Sequence, residues 1–165
     1  MTETSTKRIV AGAAIGIVAG LAASVAMNQF QAAVSALSDS DDNSEPATDK
    51  AANKVAMATT GKALDGEQKK LGGQAVHYAL GAALGAAYGA SAVVRPEVTA
   101  GFGTAFGIGT AAVLDEAAVP AAGLGDAPWE TPISTHMYTL ASHLVFGVAL
   151  ESSRKLVIWA FGVRE

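Results

Sequence analysis

Long uncharged stretches alternate with short polar ones along the chain, and their lengths are the first structural statement it makes. Ile9 to Phe30 is apolar throughout except for small residues and the amides near its end, and it follows Lys7 and Arg8. At about 1.5 Å per helical residue, such a run crosses a hydrocarbon layer of about 30 Å. Residues 38–73 then turn polar, opening on Asp39, Asp41, Asp42 and Glu45 and continuing through an Ala/Lys-rich stretch; this predicts an extramembrane linker, with a short surface helix over Thr48 to Leu64. Three further runs poor in charge follow, over 74–94, 98–120 and 133–155. Residues 156–163 are too few to span and are expected to carry the last helix into the interface, with Trp159 at headgroup level. The predicted fold is an all-α membrane protein of four transmembrane helices forming one domain over residues 1–165.

A cleaved signal peptide is the rival reading of the first run, since Lys7-Arg8 suits an n-region and Ser24-Val25-Ala26 a cleavage site. The run exceeds the usual apolar core of about 7–15 residues, which favours a retained span. The connection Arg95-Pro96-Glu97 predicts that the second and third spans are antiparallel neighbours. With four crossings, Lys7, Arg8, Arg95, Arg154 and Lys155 fall on one side, which the positive-inside rule makes cytoplasmic for both termini. Lys69 and Lys70 are the exception, within a linker richer in acids.

Composition agrees with lipid as the surroundings. Half of the residues are hydrophobic and 16% are charged, against about 25% charged in soluble domains. The 18 glycines sit mostly inside the apolar runs, where soluble helices disfavour them. Gly12, Gly16 and Gly20, then Gly81, Gly85 and Gly89, then Gly103 and Gly107 recur at intervals of four, giving each of three helices a smooth face. Close backbone approach is how helices associate in lipid, so these faces predict packing within the chain or between copies. A net charge of -4 with no basic stripe argues against nucleic acid, and the lack of cysteine excludes disulfides and thiol chemistry.

Chemistry-bearing residues gather at one depth. In the predicted topology Asn28, His77, Asp115, Glu116 and His136 all approach the outer end of the bundle, with His143 about 10 Å deeper on the same face as His136. Neighbouring residues on a helix point apart, so one of Asp115 and Glu116 is expected to face inward. Imidazoles beside a carboxylate suit a proton relay or a divalent metal, and His77 with His143 is a conceivable haem pair set apart by depth. Polar residues also collect at helix ends for structural reasons alone. Whether a metal is held stays open, no cofactor is required, and no Ser-His-Asp order, phosphate loop or HExxH helix is present. A non-enzymatic protein follows.

His77-Tyr78 opening an Ala/Gly-rich span, a third span ending near Pro120, Asp126-Ala127-Pro128-Trp129, and Ser142-His143-Leu144-Val145-Phe146 with Glu151 and Arg154 together resemble the YagU-type family of small bacterial inner-membrane proteins, whose activity is not established. The resemblance covers about residues 74–155. It implies a bacterial inner-membrane location and marks His77, Trp129, His143 and Glu151 as motif positions, with Trp129 an interfacial anchor. About one extra helical turn between Trp129 and His143 sets His136 outside that pattern. The expected role is an envelope or stress-related factor, or a subunit of a larger membrane assembly in contact with lipid; the alternatives are a small transporter or proton conduit, and a metal- or haem-binding protein.

Overall fold

The structure is a computed structural model that describes residues 3–37 and 45–162. Asp39, Asp41 and Asp42 of the linker, and Val163, lie outside the described residues. Those described are helical, without a strand: α1 (Glu3–Leu37), α2 (Ala47–Thr60), α3 (Gly66–Val94), a 3-10 turn (Pro96–Thr99), α4 (Thr104–Val113), a π turn (Leu114–Ala118), α5 (Val119–Ala121) and α6 (Ile133–Phe161). Of these, only α1, over Ser5–Leu37, is long and apolar enough to cross a membrane by length and composition.

α1 is the hub, packing against α3 on one side and α6 on the other. Its contact with α3 is a ladder of glycines running in opposite directions. A Cβ on Gly12 would lie 2.6 Å from the Gly89 carbonyl oxygen, one on Gly16 would strike the Gly85 carbonyl, and one on Gly20 the Gly81 carbonyl. Substituents on Gly81, Gly85 and Gly89 would strike α1 in return, at Ser24, Gly16 and Gly12. The six glycines read from sequence as two smooth faces are therefore one seam inside this chain.

The linker is more ordered than its polarity suggests. α3 begins at Gly66, a full eight residues before the expected 74, because Asp65 and Gln68 form a capping box: the Gln68 amide donates to Asp65 Oδ1 at 2.8 Å, and Gln68 Oε1 accepts from the Asp65 amide at 3.3 Å. α2 packs on this extension, with Ala52 buried against Gly72. Lys54 Nζ donates to the Ala122 carbonyl at 2.5 Å, capping the C-terminal end of α5.

The third expected span also changes. Residues 98–103 are not part of the long helix, because Gly101, Phe102 and Gly103 take φ values of 63°, 58° and 84°, which no right-handed helix accommodates. Two of the three are glycine, and the Phe102 ring lies 4.7 Å below the Lys155 ammonium. The turn brings the backbone of Gly103 onto that of Gly147 in α6, while Gly107 meets the backbone of His143. Gly103 is thus the residue before α4 rather than a member of a helical face. α4 packs chiefly on α6 and α3 on α1. Between α3 and α4, Tyr88 and Phe106 make an edge contact, 4.8 Å between centroids.

The interior mixes polar and apolar side chains, while many large apolar ones face outward. Ser24, Thr110, Ser142, His143, Glu151 and Arg154 are buried, together with Ala19, Ala23, Met27, Tyr88, Phe146 and Leu150. Val10, Ile17, Val18, Leu21, Ile108, Val113, Met137, Val148 and Leu156 project outward, and Trp129 and Trp159 are more than four-fifths exposed.

Candidate functional site

The polar side chains divide into two centres. The first is built by the π turn. Such turns insert extra backbone into one helical turn and cluster at functional positions. Here Leu114–Ala118 lets adjacent acids each reach a histidine of α6. Glu116 Oε1 lies 2.6 Å from His136 Nδ1, and Asp115 Oδ2 lies 3.4 Å from His143 Nε2. The expectation that only one of the two acids faces inward is therefore corrected. Because α4 and α6 are antiparallel, the earlier acid pairs with the later histidine.

Each imidazole is anchored through its other nitrogen. His136 Nε2 is 3.1 Å from the Pro128 carbonyl, and His143 Nδ1 is 3.1 Å from the Thr139 carbonyl. A carbonyl oxygen only accepts, so each of those nitrogens carries hydrogen. His77 joins the second pair. Its ring lies within electrostatic range of that of His143. His77 Nε2, Asp115 Oδ2, Ser24 Oγ and Ser142 Oγ are buried without a hydrogen-bond partner. Asp115 and His143 thus face each other at ion-pair range without forming a well-aligned hydrogen bond.

Asn28 Nδ2 donates to the Tyr78 hydroxyl at 3.2 Å. It borders an open cleft of about 540 Å³ between α1, α2 and α3, whose lining includes Gln74, His77 and Asp49.

The second centre lies nearer the end that carries Arg8 and Arg95. Glu151, 1% exposed, receives Arg154 Nε at 2.7 Å and Nη2 at 3.0 Å, and the Tyr88 hydroxyl donates to it at 2.9 Å. Lys155 stands 3.7 Å away. The sequence marked Glu151 but not Tyr88 as its partner; the available signal was that Tyr88 adjoins Gly89 and lies a turn beyond Gly85 on the same helix. Between the centres stand Gly147, pressed on the Gly103 backbone, and the buried Phe146 and Leu150. No polar group links His143 to Glu151 along that stretch of α6.

Among the described residues no group of three or more His, Cys, Asp or Glu is arranged to hold a metal ion. His77 and His143 lie in one electrostatic neighbourhood, and His143 Nδ1 is committed to the Thr139 carbonyl.

A family model described as "Protein of unknown function (DUF1440)" matches residues 38–152, well over half of the 165 residues. The chain belongs to the DUF1440 family. The DUF1440 segment contains His77, Tyr88, Asp115, Glu116, His136, His143 and Glu151, hence every histidine–carboxylate contact described above. No curated protein and no solved structure matches the chain.

Proposed function

We propose that this DUF1440 protein is a non-enzymatic, four-span integral protein of the bacterial inner membrane, of the YagU type, acting as an envelope or stress-related factor or as a subunit of a larger membrane assembly. The observation that carries the reading is that large apolar side chains cover much of the outside while the ionisable Glu151, Arg154 and His143 are enclosed. In water this arrangement would expose the surface that normally drives folding; in lipid it costs nothing and shields the ionisable groups. The seam between α1 and α3 supports it too, because backbone contact is the available source of helix association in lipid. Trp129 and Trp159, exposed near opposite ends of the bundle, suit interfacial anchors.

The absence of cysteine makes single-cysteine labelling clean. In sealed vesicles of defined orientation, an impermeant maleimide should reach Thr6→Cys and Glu97→Cys from the cytoplasmic side, and Lys62→Cys and Glu130→Cys from the other. Labelling of Lys62→Cys and Glu97→Cys from one side would mean that α3 does not cross. Native mass spectrometry of the purified chain then reads the subunit role through a stoichiometric partner or a second copy.

A second reading, a small transporter or proton conduit, is favoured by the pairing of His136 with Glu116 and of His143 with Asp115. Conduction would require the Gly103–Gly147 contact to part, since it separates the two polar centres. A proton-flux assay in liposomes tests it, and flux no greater than in empty liposomes would remove it.

A further inference from the structure

The two histidine–carboxylate contacts share a constraint that neither transport nor assembly requires. We propose that the π turn and α6 form a two-proton binding site, in which each imidazole–carboxylate couple holds one exchangeable proton and each histidine is pinned in the opposite tautomer. The geometry leads there directly. His136 Nε2 must donate to the Pro128 carbonyl, so a neutral His136 turns the lone pair of Nδ1 toward Glu116 Oε1 at 2.6 Å. Two acceptors at that distance repel; one proton between them, on either atom, makes the contact attractive. His143 repeats the arrangement at ion-pair range, 3.4 Å from Asp115, where a small shift of the carboxylate would align the hydrogen bond. Its Nδ1 donates to the Thr139 carbonyl, so in the neutral ring the lone pair of Nε2 faces Asp115.

The surroundings supply no other compensation. Among the described residues, the ion-pair partners of Asp115 and Glu116 are these two histidines, and neither lysine nor arginine approaches them. α3 contributes His77 beside His143; α1 contributes the uncharged Ser24; the connecting loop contributes the Pro128 carbonyl, with Asp126 and Glu130 as its acids. A loaded couple is neutral overall, either imidazolium with carboxylate or imidazole with carboxylic acid. An unloaded pair of couples leaves two adjacent, part-buried negative charges, which is costly without partners. The proton exchanges with solvent through the His136–Glu116 couple, whose side chains are 25% and 35% exposed, whereas His143 is 10% exposed.

The site is read by nitrogen NMR of the full-length protein labelled with 15N-histidine in detergent, the chain having three histidines. Glu116→Gln and Asp115→Asn are isosteric, and their amide N–H can donate to the lone pair that the shared proton otherwise satisfies. Glu116→Gln should leave His136 as the neutral Nε2–H tautomer, and Asp115→Asn should leave His143 as the neutral Nδ1–H tautomer. Each should leave the signals of the other couple in place. Finding both histidines in one common tautomer, or a His136 signal that follows Asp115→Asn instead of Glu116→Gln, would overturn the proposal. If either variant fails to fold, the wild-type tautomers alone decide it, since an Nδ1–H form of His136 contradicts the Pro128 anchor. Because the readout is neither flux nor topology, its outcome is independent of the transport reading.

Discussion

Replacing Gly85 by alanine tests whether the α1–α3 seam is the principal contact of the bundle. The new methyl carbon would overlap the Gly16 carbonyl oxygen and approach Gly20 Cα to 2.8 Å, where ordinary contact is 3.4–4 Å. Both obstacles are backbone, so no rotamer change relieves them, and the helices must separate by about an ångström. Overpacking of this kind costs about 1–3 kcal/mol, and a gap of about 0.5–1 Å forfeits a quarter to a half of each dispersion contact along the neighbouring rungs. Alanine recovers up to about 1 kcal/mol of helix propensity, and that gain is measured separately by Gly109→Ala, where a Cβ meets nothing within 4 Å. The assay is reversible unfolding by SDS titration in mixed micelles for wild type and both variants. Gly85→Ala should be less stable than Gly109→Ala by about 2 kcal/mol, with the gap widening for Gly85→Leu. Equal midpoints for Gly85→Ala and Gly109→Ala would refute the claim that backbone contact at Gly16 holds the pair together.

Tyr88→Phe removes the hydroxyl that donates to Glu151 and should cost about 1.5–3 kcal/mol in the same titration, since the acceptor is charged and buried. Glu151→Ala should be more damaging, about 3–5 kcal/mol, because it deprives the Nε and Nη2 groups of buried Arg154 of their hydrogen bonds to that carboxylate; a loss below that of Tyr88→Phe would contradict the assigned role. Asp65→Ala should cost about 1 kcal/mol and accelerate amide exchange across residues 66–70 while leaving the glycine seam protected, as read by hydrogen–deuterium exchange. Lys54→Met should raise exchange in α2 and around Ala122 together, since one ammonium joins the two.

The glycines spaced by four were legible because their consequence is local to each helix; that Gly12, Gly16 and Gly20 meet Gly89, Gly85 and Gly81 needed the fold. The onset of α3 was hidden by composition: Asp65 and Gln68 are a capping pair in the sequence, but the surrounding charge resembles a linker. The π turn has no local signature. It was the reason both acids find histidines, and a regular helical projection of Asp115 and Glu116 necessarily sent one outward. Gly147 was missed because its partner, Gly103, sits in a left-handed turn rather than on a helix. Tyr88 and Glu151 are joined across 63 positions, a distance at which periodicity carries no information.

The glycine ladder also sets a schedule. Gly12 emerges from synthesis roughly 80 residues before Gly89, the rung it must meet, which at about 5–20 residues per second is a wait of about 4–15 s. In the proposed four-span protein, α1 would wait through that interval in the bilayer with its narrow backbone strip uncovered, open to the matching strip of any passing helix. The long polar stretch that separates α1 from α3 is therefore also a clock, and the first contact α1 makes in the cell need not be with its own chain.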